Sequence, residues 1–64
     1  MLNAAQRVSP VIVSISSQSE NRYGIYVNGD RVWEGSRNII AQGTARQIVE
    51  RLKAEGFEVI PDFD

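Results

Sequence analysis

Arg22, Tyr26, Arg31 and Trp33 stand close together, grouped around an Asn28-Gly29 pair, and Arg37 follows a few positions later. Guanidinium groups donate forked hydrogen bonds to carboxylates and phosphates, while aromatic rings stack on bases or fill pockets of a protein partner. The chemistry on offer is therefore recognition, of a protein or of nucleic acid. A plainer arrangement has the rings packing across neighbouring strands with the arginine stems laid over them.

Bond-making chemistry finds few candidates. The chain has no histidine and no cysteine, so the commonest general base and the thiolate nucleophile are both missing. The same two absences remove disulfides, thiolate-held zinc and iron–sulfur clusters, and the commonest metal ligand. Lys53 is the only lysine and stands among Glu50, Arg51 and Glu55, a solvated helical setting. Glu58, Asp62 and Asp64 lie near one another but lack the ordered loop and ligand spacing of a calcium site. Gly43-Thr44 could open a helix and present free N–H groups to an anion, yet a lone glycine lacks the spaced glycines of a phosphate cradle. No catalytic residue, cofactor or metal is expected.

Along the chain, residues 1–7 read as a loose arm and Pro10 leads into a first strand. Val11, Val13 and Ile15 alternate on one face, with Ile12, Ser14 and Ser16 on the other, and Ser17 to Asn21 reads as a loop. A second strand, Arg22 to Val27, reaches Asn28-Gly29, the pair best suited to a type I′ turn. A third strand runs from Asp30 to about Gly35. A two-residue turn sets Val27 opposite Asp30, Tyr26 opposite Arg31, Ile25 opposite Val32 and Gly24 opposite Trp33, whereas a three-residue loop with a Gly bulge slides this register. One face then shows Tyr23, Ile25, Val27 and Val32, and the other shows Arg22, Tyr26, Arg31 and Trp33.

Residues 36–42 read as a connector. Thr44 with Gln47 fits a capping box, predicting a helix over 44–55 whose stripe is Ala45, Ile48, Val49 and Leu52. Arg46 with Glu50 and Arg51 with Glu55 form i, i+4 pairs, and Gly56 supplies the left-handed terminus. Phe57 to Ile60 forms a last strand stopped by Pro61, with 62–64 a frayed acidic tail. The predicted fold is a single α+β domain over 1–64: a three-stranded antiparallel meander, a helix packed on it and a short fourth strand beside the first.

Arg31-Val32-Trp33-Glu34-Gly35, followed by the helix carrying Thr44-Ala45, is similar in part to the third strand and helix of AP2-type domains. The likeness covers roughly 22–55 and implies a sheet that reads DNA with a helix behind it. The connector before Gly43 is longer than that pattern, and the sheet has less basic cover.

A net charge of −1 opposes sequence-blind attraction to nucleic acid or anionic membrane. The charge is uneven: residues 21–49 are net basic and 50–64 net acidic. No apolar run reaches the ~20 residues that span a bilayer, and no export signal is evident, so a cytoplasmic location is expected. The reading is a non-catalytic module that binds an unidentified protein through the outer hairpin face or a sheet edge, with Arg22, Tyr26, Arg31, Trp33 and Arg37 as contact residues. Nucleic acid on the same face is the alternative. A chain of 64 residues without staples also gains from self-association, so a weak homodimer is expected, with Asp62 and Asp64 relieving repulsion among the arginines.

Overall fold

The computed structural model describes residues 9–63; the arm at 1–7 and Asp64 lie outside them. Strands β1 (Val11–Ser19), β2 (Arg22–Val27) and β3 (Asp30–Gly35) precede helix α1 (Asn38–Ala54) and strand β4 (Val59–Asp62). The sheet order is β3-β2-β1-β4. The first three strands form the expected antiparallel meander, and β4 joins β1 in parallel.

In β1 the alternation holds: Val11 and Val13 are buried beneath the helix and Ile12 is exposed on the far side. The strand continues to Ser19, through most of the stretch expected to loop. Ser17 pairs with Tyr23 and Ser19 with Arg22, leaving Gln18 out of register. Serines form strands weakly by themselves, but backbone pairing with β2 is indifferent to their polarity on an exposed end.

At the hairpin, Asn28 (φ 51°) and Gly29 (φ 89°) both take the left-handed conformation that a type I′ turn requires. Val27 accordingly faces Asp30 and Tyr26 faces Arg31. Past that point the expected register fails: Ile25 faces Trp33, and Gly24 faces Glu34. Val32 is the extra residue of a β-bulge. The insertion turns Trp33 from the outer face to the helix side, where it packs against the core, and leaves Val32 exposed.

Helix α1 begins nearly two turns before the capping box, after an extended Arg37 at its N-cap that makes no side-chain cap hydrogen bond. The capping box is thus overturned, and Gly43 and Thr44 lie inside the helix. Ala41, Ala45 and Val49, spaced by four, make the buried line, with Ile48 and Leu52 half-buried beside it. This line begins at Ala41, which explains the longer helix: tertiary packing recruits a turn that has no local start signal. Ile39 and Ile40 remain exposed in that first turn. At the other end Gly56 (φ 99°) closes the helix as expected. Its N–H donates to Lys53 O at 3.0 Å and that of Phe57 to Leu52 O at 3.1 Å, the Schellman pattern.

Strand β4 starts later than expected and contains Pro61, which faces Val13 instead of ending the strand. An edge strand tolerates the missing N–H. Phe63, expected in a frayed tail, packs against the core cluster. That core is small, with Val13 and Ile25 its largest fully buried side chains.

Candidate protein-binding face

One helix about 10–12 Å wide covers one side of a sheet whose strands repeat at about 4.8 Å. The other side has no covering layer among the described residues. Strand alternation sorts its residues into cross-strand rows. Ile60 and Ile12 are neighbours in the first, which ends at Asn28. Asn28 clamps this end of β1: its side-chain Oδ1 accepts from Ile12 N–H at 2.9 Å, and its own N–H donates to Ile12 O at 2.9 Å. A second row runs Asp62, Ser14, Tyr26, Arg31 across all the strands. Ser16, Gly24 and Glu34 make the third.

Tyr26 leans along its strand over Gly24, where a Cβ would stand 3.0 Å from the ring. The glycine is therefore the seat of the tyrosine, and the bulged Gln18 donates from Nε2 to the tyrosine hydroxyl. Glu34 lies between two cations, its Oε2 3.2 Å from Arg22 Nη1 and 3.7 Å from Arg31 Nη1. Such exposed pairs contribute about 0–1 kcal/mol each, but they hold both guanidinium groups on the face. Ile12 and Ile60, 44% and 45% exposed, add an aliphatic patch at the other end.

Of the contact residues expected from sequence, the structure brings Arg22, Tyr26 and Arg31 together. Trp33 is on the opposite side, with its indole over Gly35, where a Cβ would fall 2.1 Å from the ring. Arg37 sits at the start of α1, in the helical layer, away from this face. Ile12, Ile60, Gln18 and Glu34 join the face without having been expected there as contacts. The alternation of β1 marked Ile12 as an apolar side chain on an otherwise polar face. Ile60 needed the β1–β4 register and Gln18 the β1 bulge, neither of which leaves a local signal.

The other candidates find no cluster. Thr44 has no free helix-start N–H to offer an anion, and Lys53 is exposed in the last turn of α1. Among the described residues no group of three or more His, Cys, Asp or Glu is placed to hold a metal. No described helix is long and apolar enough to cross a membrane. Open troughs of about 430 and 450 Å³ flank the helix; the first is lined by Ile48 and Leu52, and the second reaches Pro61 and Phe63. They arise because one helix is narrower than the sheet beneath it. Comparison with family models, with curated proteins and with solved structures finds no match, so the partial likeness to AP2-type domains gains no support there.

Proposed function

We propose that the chain is a non-catalytic interaction module that binds a protein partner through the outer face of its sheet or through its open edge. The observation that carries this reading is the position of Glu34 between Arg22 and Arg31. A phosphate backbone is held by uncompensated positive charge. Here Glu34 sets one negative charge between the two guanidinium groups, and Asp62, at the far end of the row that Arg31 begins, brings the formal balance of these four residues to zero. Paired charges beside a tyrosine and two exposed isoleucines suit a protein surface, where aromatic and aliphatic anchors supply affinity and polar groups set register. With Trp33 turned inward, one of the two rings that could stack on bases is lost to the face. The proposed place of action is the cytoplasm, which a cysteine-free composition suits.

Capture from cytosol with the wild-type chain and with Ile12→Glu and Tyr26→Ala tests the reading. A partner retained by the wild type and lost by both variants, at unchanged circular dichroism, is the expected result. Tight binding to single- or double-stranded nucleic acid that falls steeply with added salt would replace the reading with its alternative.

A further inference from the structure

The two sheet edges are unequal. Strand β4 is four residues long and contains Pro61, which withholds a donor, whereas β3 is six residues long and has no proline. Which backbone groups of β3 point away from the sheet follows from the hairpin. Asn28 N–H points to β1. Groups alternate along a strand, so those of Val27 point to β3 and those of its partner Asp30 point back to β2. Arg31, next along, directs its N–H and C=O outward. Glu34 faces Gly24 as Arg31 faces Tyr26, with the bulge residues between them, so Glu34 also directs its groups outward.

An antiparallel copy of β3 must join outward-directed residues to outward-directed residues. Arg31 against Arg31, or Glu34 against Glu34, makes one such pair and sets like charges together. Arg31 against Glu34 makes two pairs, related by a two-fold axis between Val32 and Trp33, and both unite opposite charges. In this register Arg31 and Glu34 share the outer face on both copies. Val32, which alternation sets on the helix side, and Trp33, carried there by the bulge, then meet the same residues of the second copy. Val32 is 53% exposed in the single chain and Trp33 half-buried, so apolar surface is available for that contact. A bulge often spoils an edge for pairing. In this one the axis passes between the two bulge residues, Val32 and Trp33, and Arg31 and Glu34 on either side of them stay in step.

We propose that β3 pairs with β3 of a second copy of this chain, in the Arg31–Glu34 register, to form one continuous eight-stranded sheet. This rests on the reading of the chain as an interaction module and assigns the occupant of its edge. Opposite charges set directly across a strand pair attract, and like charges repel, so reversing one partner acts twice in a symmetric dimer. Arg31→Glu places Glu against Glu34, and Glu34→Arg places Arg against Arg31. Each variant alone should self-associate at least tenfold more weakly than the wild type by sedimentation equilibrium. An equimolar mixture should recover the dimer, because every cross-strand pair is then of opposite sign; that recovery also shows both variants folded. A wild-type chain that stays monomeric to millimolar concentration overturns the proposal. So does a dimer that neither variant weakens, or two weakened variants that fail to pair. None of these outcomes bears on cytosolic capture through Ile12 and Tyr26, which is read separately.

Discussion

At the scale of single residues, two glycines are seats for rings, one on each side of the sheet. Gly24 underlies Tyr26 on the outer face and Gly35 underlies Trp33 on the helix side. A methyl group on Gly35 would occupy the place of the indole, so Gly35→Ala should displace Trp33 and cost about 1–3 kcal/mol. Red-shifted tryptophan emission and easier quenching should accompany the loss. Unchanged emission at wild-type stability would show that the ring does not rest there. Trp33→Ala should also act on folding, at about 2–3 kcal/mol, because the ring is half-buried and loses less than the ~3–5 of a fully buried one. Thermal melting of Trp33→Ala beside Tyr26→Ala separates the two rings: the first should melt early, the second near the wild type.

At the scale of elements, the helix carries two glycines with opposite demands. Gly43 is within α1, and a Cβ built on it meets nothing within 4 Å. Gly43→Ala should therefore stabilise the domain by about 0.5–1 kcal/mol, since glycine loses more backbone freedom on entering a helix. Gly56 also has open space around it, but its φ of 99° suits no side chain. Gly56→Ala should cost about 1–2 kcal/mol. Denaturant midpoints of the two variants should move in opposite directions from the wild type. Shifts of the same sign would contradict a helix that contains Gly43 and closes at Gly56. The ion pair Arg51–Glu55, 3.6 Å apart and exposed, forms as expected but adds little to this balance.

At the scale of the whole molecule, the core is barely sufficient. Among the described residues few side chains are fully buried, and a domain of this size rarely gains more than about 3–5 kcal/mol from one hydrophobic core. Ile25→Ala, at a fully buried site, should cost about 2–5 kcal/mol and leave much of the chain unfolded near 25 °C. Far-ultraviolet circular dichroism would show this directly, and a variant folded like the wild type would place the core elsewhere. If β3 pairs with a second copy, stability must also depend on concentration, because association draws the folded state forward. The wild-type melting temperature should rise as protein is added, and less so for Glu34→Arg.

Local physics determined much of this molecule from the sequence alone. Asn28-Gly29 forces a tight turn because both positions need positive φ, and that turn secures β2, β3 and the pairing nearest to it. Alternation in Val11 to Ile15 set the buried face of β1, and Gly56 set the helix end. The β-β-β-α-β order followed from those signals, as did the place of Arg22, Tyr26 and Arg31 on one face. What escaped the sequence was decided by contacts distant along the chain. The bulge at Val32 lets Trp33 reach the core, an outcome that depends on Ile25 and on the helix above it and not on neighbours in sequence. The start of α1 lacks a cap and is set by Ala41 against the sheet, so the strong local motif at Thr44 misdirected the boundary. Pro61 looked like a stop and became part of an edge strand, because an edge leaves one row of N–H groups unused. Glu34 gained its part as the link between two arginines only when pairing set Arg22 of β2 beside it and the bulge put Arg31, three residues back on its own strand, on the same face.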